Sequence, residues 1–282
     1  MDMEIVDSQV HDLMPAADWE YGDASKAIVV CELLLASMDA VGVSAGVIAP
    51  GRHFITGEVS AARYPKRFKR VAMIDRRNPD VDGAIAAARR DPGVAALRMV
   101  TADYQNNNAN DLQAGLFEPV FASAERHGMP VFILGPGFPA ELGPSAAAHP
   151  GVTFIIDHLG LRQYPPLSMD ADPWEKLPGL LSLARYPNVA VKFCGAQLLS
   201  KQPYPFSDVW PQLHQVVNAF GPSRLMWASD FTRLRMVKPG ERPWLYSDAL
   251  HFVRDTNELS TSDKAQILGA TARRLLRWPK EA

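Results

Sequence analysis

Cysteine is scarce in this sequence. Two thiols, Cys31 and Cys194, stand among 282 residues, too few for a disulfide framework and without the C-x-x-C pairs of a zinc ribbon or redox couple. No motif sets either beside a base, so both read as reduced core thiols. An excess of one charge is also missing. The 29 basic and 31 acidic residues leave a net charge of −2, which gives no electrostatic reason to expect nucleic acid or an anionic membrane as partner. Long apolar runs are absent too: the helix-like stretch Ala27–Ala36 contains Glu32 and is too short to span a bilayer. The chain opens on a strand-like run, without the charged and apolar regions of a signal peptide, so a cytoplasmic protein is expected. No G-x-G-x-x-G, P-loop or H-E-x-x-H occurs.

What is present is an alternation. Short apolar runs near 4–11, 43–49, 69–75, 94–100, 130–135, 152–158, 189–195 and 224–230 read as buried strands. Between them, 25–40, 57–64, 80–91, 112–127, 139–148, 174–185 and 207–219 read as helices, the fourth stopped by His127-Gly128. Helices at 244–255 and 261–277 follow, and Arg273, Arg274 and Arg277 suit the last turn of the second electrostatically. Eight strands alternating with helices predict a single α/β domain over 1–282, a (β/α)8 TIM barrel, a fold that routinely reaches about 250 residues as one unit. No repeat of solenoid length interrupts it.

Three of the strand-like runs deliver a titratable side chain at their C-terminal ends: His11, His158 and Asp230. That is the face on which such barrels build their sites. The connections Leu159–Asp172 and Phe231–Pro243 that follow two of these ends are long, whereas those before strands, at 186–188 and 221–223, are short. Long loops in compact domains are usually functional or disordered. Asp230, in Met226-Trp-Ala-Ser-Asp230, is a candidate base for water. Strand alternation lets only one of Asp157 and His158 face the pocket; His158 is chosen, with Asp157 outward or tying a loop. The same alternation puts Gln9 on the side of His11, with Asp7 deeper on that face. Arg98 is a charge in an apolar strand and needs an anion, either a structural carboxylate or a substrate. Lys192 reads as structural, its long stem reaching solvent. Trp227 reads as core or rim, and Gln105–Asn108 as a loop.

Val6-Asp-Ser-Gln-Val-His11, Ile156-Asp-His-Leu-Gly160, Val191-Lys-Phe-Cys-Gly195, Met226-Trp-Ala-Ser-Asp230 and Gly269-Ala-Thr-Ala-Arg273 resemble, in order and spacing, the amidohydrolase superfamily. The resemblance is to the branch with pyrone-dicarboxylate and sugar-lactone hydrolases, and it covers nearly the whole chain. It implies a (β/α)8 barrel, a water activated by Asp230, and His11 and His158 holding a metal or polarising the scissile carbonyl. Arg98 matches an arginine that binds substrate carboxylate in the pyrone enzymes. Two departures stand out: Gln9 replaces the first histidine of the H-x-H pair, and Leu134 stands where metal-dependent relatives carry a ligand. Gln is a poor zinc ligand. A metal-independent site with no cofactor is therefore expected; a divalent ion such as zinc, if bound, would rest on His11, His158 and Asp230. Ala196-Gln-Leu-Leu199 lacks the carboxylate-binding arginine common in the pyrone enzymes, which favours a less charged lactone.

The expected activity is hydrolysis of a small cyclic ester. Asp230 is the base, His158 and His11 stabilise the oxyanion, Gln9 orients water or substrate, and Arg98 binds a carboxylate or phenolate. A metal-dependent decarboxylase of an aromatic acid and a non-catalytic binding barrel are the alternatives. The expected partner is a small-molecule substrate, with neither nucleic acid nor membrane; related barrels commonly dimerise, so a homodimer is consistent with the resemblance.

Overall fold

Runs such as Val131–Leu134 and Leu225–Ala228, apolar throughout, can be satisfied only by a sheet covered on both faces, and that is where they lie. A computed structural model describes residues 3–11, 24–49, 56–101, 109–163, 170–231 and 245–279. Its strands are β1 (Val6–His11), β2 (Ala45–Ala49), β3 (Phe68–Met73), β4 (Val94–Val100), β5 (Val131–Leu134), β6 (Phe154–Ile156), β7 (Val189–Cys194) and β8 (Leu225–Ala228). All are parallel and neighbour one another in chain order. No ladder joins β8 to β1. Ser8 Oγ donates to the Trp227 carbonyl (2.7 Å), and Asp230 N donates to the Gln9 carbonyl (3.0 Å). The result is a nearly closed, single-domain (β/α)8 barrel.

Strand alternation sorts the core into two layers. Val6, Val47, Val71, Phe132, Ile155 and Met226 fill the barrel, while Ile48, Phe154, Ile156, Leu225 and Trp227 face the surrounding helices. The helices are α1 (Ala24–Val41), α2 (Thr56–Arg63), α3 (Val81–Arg90), α4 (Ala109–Gln113), α5 (Glu118–His127), α6 (Gly143–Ala148), α7 (Leu177–Ser182), α8 (Trp210–Phe220) and α9 (Tyr246–Arg254). Gly128 ends α5 in the left-handed conformation (φ 62°), as the sequence predicts. The single helix expected over 112–127 is instead α4 and α5. Gly115 at φ 74° turns the chain out of one, and Pro119 starts the next. The tail helix runs unbroken from Thr261 to Leu275, as α10 (Thr261–Ala265), a π turn (Gln266–Ala270) and α11 (Thr271–Leu275). Arg273 pairs with Glu4 (2.9 Å) and Arg274 donates to the Ser223 carbonyl, so both make local structural contacts.

Two strands end earlier than expected. β6 stops at Ile156 and β8 at Ala228, because the backbone leaves the extended region at His158 (φ 55°), Leu159 (φ 59°) and Asp230 (φ 52°). Among the described residues no helix is long and apolar enough to cross a membrane. The Gln105–Asn108 run and parts of the two long connections, at 164–169 and 232–243, lie outside the described residues.

Candidate active site

The site forms at the C-terminal mouth, where β1, β6, β7 and β8 end. On β1 the register slips by one residue: Asp7 pairs with Gly46, but Val10 pairs with Ile48. This bulge reverses side-chain parity. Val6 lies inside the barrel, whereas Val10, four residues on, lies outside. Asp7 therefore does not sit below Gln9 and His11, as regular alternation would have it. It turns to the helical layer and accepts from Tyr246 Oη of α9 (2.7 Å), Ser229 N (2.9 Å), Gln9 N (3.1 Å) and Ser229 Oγ. Tyr246 stacks on Trp227 and Phe231. Asp7 thus clamps β1 to the segment that carries Asp230. Burial pushes its carboxyl up to about 6, against these hydrogen bonds.

Beyond the bulge, Gln9, His11, His158 and Asp230 converge. His11 Nε2 is 3.0 Å from Asp230 Oδ1, and His158 Nε2 is 3.8 Å from Asp230 Oδ2. Gln9 Nε2 lies between them, 3.4 Å from Asp230 Oδ1, 3.3 Å from His158 Nε2 and 3.5 Å from His11 Nε2. The proton count follows from donors and acceptors. His11 Nδ1 faces the Ala49 carbonyl at 2.8 Å, and a carbonyl only accepts, so that nitrogen carries hydrogen. Its other nitrogen meets a carboxylate at 3.0 Å, which requires one proton between His11 and Asp230. Asp230 is fully buried, while His11 keeps about a quarter of its side chain exposed and faces the entrance.

Arg98 reaches this centre only through other side chains. Its Nε and a terminal nitrogen both lie 3.0 Å from Asp157 Oδ2; Asp157 Oδ1 is 2.7 Å from Lys192 Nζ; and Lys192 Nζ donates to Gln9 Oε1 at 2.6 Å. Two expectations are corrected here. Asp157 faces into the barrel, because it keeps the parity of Ile155. His158 also reaches the pocket, because its left-handed backbone breaks the alternation that made the two exclusive. Lys192 does not reach solvent: it is fully buried on the inward parity of Ala190, with its ammonium 3.3 Å from the centre of the Phe132 ring. Burial works to raise the Asp157 carboxyl, but the charges of Lys192 and Arg98 outweigh it and hold it below the ordinary carboxylate range. Burial pushes Lys192 down to about 8.

Cys194 is the residue the sequence reading missed. Its Sγ lies 3.3 Å from His158 Nδ1, so this thiol, buried like Cys31, does stand beside a base. The signal was parity: Ala190, Lys192 and Cys194 alternate along β7 and all turn inward. Gln163 holds the two ends in register, donating to the carbonyls of His158 (3.2 Å) and Cys194 (3.0 Å).

Of two overlapping donor sets at the mouth, one suits a divalent ion. The centre of His11, His158 and Asp230 is filled by the Gln9 amide nitrogen, so in this arrangement that set does not fit one. His158, Cys194 and Asp230 place a nitrogen, a sulfur and an oxygen within 4.8 Å of one another, a donor set that suits zinc.

A barrel whose strand-eight aspartate meets strand-end histidines at the C-terminal mouth is the arrangement that the amidohydrolase resemblance implies. The chain belongs to the amidohydrolase family, whose sequence model matches residues 32–278. The match takes in Arg98, Asp157, His158, Lys192, Cys194 and Asp230, and begins after β1 with its Gln9 and His11. An L-fucono-1,5-lactonase from Burkholderia ambifaria is 27% identical over 172 residues, 59% of this chain and 56% of that protein; the match thus spans about half the length of that relative. An amidohydrolase from Burkholderia multivorans crystallised with bound zinc superposes with a TM-score of 0.75 at 20% identity, over 98% of this chain and 100% of that one. A candidate 2-pyrone-4,6-dicarboxylic acid hydrolase from Pseudomonas putida does so with 0.69 at 19%, over 100% of both. The 5-carboxyvanillate decarboxylase of Sphingomonas paucimobilis shares the fold as well, with 0.64 at 13% over 98% and 99%. Likeness at these identities shows the fold, and the reaction has to be argued from the site.

Proposed function

We propose that this chain hydrolyses the ester bond of a small lactone, with Asp230 as the base. The observation that carries the reading is the buried Asp230 carboxylate at the end of β8, 3.0 Å from His11 Nε2 and facing the Gln9 amide at 3.4 Å. Water held between Asp230 and His158 gives a proton to Asp230 as its oxygen adds to the carbonyl carbon. As the water proton neutralises Asp230, the hydrogens of His11 Nε2 and the Gln9 amide, which face Asp230 Oδ1 at rest, are released to donate to the oxyanion that forms. Collapse breaks the ring C–O bond, and the leaving alkoxide takes the proton from Asp230, giving a hydroxy acid. His158 thus serves the water, where the sequence reading gave it the oxyanion together with His11.

Arg98 is paired to Asp157, which supports a substrate without a second carboxylate. The chemistry needs only hydrogen bonds from these residues. A zinc ion on His158, Cys194 and Asp230 would, when bound, supply Lewis-acid polarisation of the carbonyl. The proposed partner is a small molecule, in a chain acting alone or as a homodimer.

The test is a panel of sugar and aliphatic lactones followed by acid release, beside aromatic acids followed by CO2 release, with metal content measured on the same protein. Lactone turnover is expected, resistant to chelator. Asp230→Asn should lose about 10²- to 10⁴-fold in kcat with its thermal unfolding unchanged, the usual scale for a general base. A lactone that is never opened, or an Asp230→Asn enzyme as fast as the parent, refutes the reading. CO2 release transfers it to the decarboxylases.

A further inference from the structure

We propose that Lys192 is a positioning residue: by holding the Gln9 carbonyl oxygen it turns the amide nitrogen onto His158, and so decides which imidazole nitrogen of His158 carries the proton. An ammonium only donates, so at 2.6 Å from Lys192 Nζ the Gln9 atom must be the oxygen. The amide nitrogen is then fixed 3.3 Å from His158 Nε2. It has no lone pair to offer, so Nε2 must be the bare, accepting nitrogen. The proton of His158 sits on Nδ1 and points to Cys194 Sγ, 3.3 Å away, and a sulfur can accept it.

Turning the Gln9 amide over inverts each of these bonds. Its oxygen would then require hydrogen on Nε2, and the bare Nδ1 would accept from the Cys194 thiol, which can also donate. The row Gln9–His158–Cys194 has two self-consistent states, and Lys192 selects the one with a lone pair facing Asp230. Charge balance supports this assignment. Asp157 already has Arg98 at 3.0 Å, so Lys192 is a second cation on one carboxylate. A buried second cation is costly unless its hydrogens are all engaged; beside Asp157 Oδ1 (2.7 Å) and the Phe132 ring, Lys192 makes its remaining contact with Gln9. In the proposed reaction the Nε2 lone pair, which accepts from the Gln9 amide at rest, passes to the attacking water, so the activity arm of the test rests on the hydrolase reading and the spectroscopic arm does not.

The spectroscopic arm uses the full chain labelled with 15N-histidine, with long-range 1H–15N correlations reporting each tautomer and a His158→Asn variant assigning the signal. The parent should show His158 protonated on Nδ1. Lys192→Met, which leaves Asp157 paired with Arg98, should shift His158 to Nε2–H or to a mixture. His11, pinned by the Ala49 carbonyl, should not change. If Lys192→Met does not fold, Gln9→Leu removes the same link and should give the same shift. A parent protonated on Nε2, or a His158 signal indifferent to the folded variant, overturns the proposal.

In the activity arm, Lys192→Met should lower kcat about 10- to 100-fold, the scale for losing a group that orients a reacting one, with KM little changed. Added to Gln9→Leu it should cost nothing further, since both break one link; additive losses overturn the proposal. If no lactone is opened by the parent, the hydrolase reading fails, while the tautomer result still decides the role of Lys192.

Discussion

Asp7→Asn is expected to stabilise the protein at neutral pH, although it alters a buried side chain with four hydrogen-bond donors around it. Burial raises the Asp7 carboxyl from its usual value of 3.8 to about 6. In the folded chain it therefore holds its proton more tightly than in the unfolded chain. A raised pKa contributes stability that is complete below about pH 4 and is lost as pH rises through about 6. The gap of about two units corresponds to about 3 kcal/mol between the two protonation states. Asparagine is a neutral isostere. Its oxygen can accept from Gln9 N and Ser229 N, as Oδ1 does. Its NH2 would face the Tyr246 and Ser229 hydroxyls, which can rotate to accept. Re-forming those bonds imperfectly costs about 1 kcal/mol. The variant should therefore be slightly less stable than the parent at pH 4 and more stable by about 2 kcal/mol at pH 8. Urea unfolding of both proteins at pH 4, 6 and 8 measures this, and the other titrating groups cancel in the difference. A deficit for Asp7→Asn at pH 8, or a difference independent of pH, would mean that the hydrogen bonds outweigh burial at this site, and the reasoning fails.

The ion triad behaves in the opposite way. Asp157→Asn leaves Arg98 and Lys192 buried without their counter-charge, and should cost about 3–5 kcal/mol in chemical denaturation; a loss under 1 kcal/mol would show that the carboxylate is not their partner. Gly269 packs against the start of the chain: a Cβ there would stand 2.5 Å from the Glu4 carbonyl oxygen. Gly269→Ala should cost about 1–3 kcal/mol by forcing backbone apart and should lower the unfolding temperature. An unchanged temperature would refute the close approach.

Much of this protein was legible from one sequence because each signal is local. Strand and helix periodicity needs only neighbours in the chain, so the order of eight strands, the barrel and the mouth-facing positions of His11, His158 and Asp230 follow from Val6-Asp-Ser-Gln-Val-His11, Ile155-Ile-Asp-His158 and Leu225-Met-Trp-Ala-Ser-Asp230. Gln9 was visible as a departure only through the resemblance, which implies a histidine at that position. What failed was parity at irregular points. The β1 bulge turned Asp7 outward, and the left-handed backbone at His158 admitted both members of a pair that regular alternation makes exclusive. A bulge is a mismatch between two strands and cannot be read from either alone. The partners of Arg98, Lys192 and Cys194 were equally out of reach, because hydrogen bonds and ion pairs join side chains that are 59, 183 and 36 residues apart in the chain. The sequence by itself determined which chemistry-bearing residues arrive at the barrel mouth. Only the nearly closed barrel, which brings β1, β6, β7 and β8 within hydrogen-bonding distance, decided which of them share a proton, which are buried as ions, and that an amide nitrogen occupies the centre.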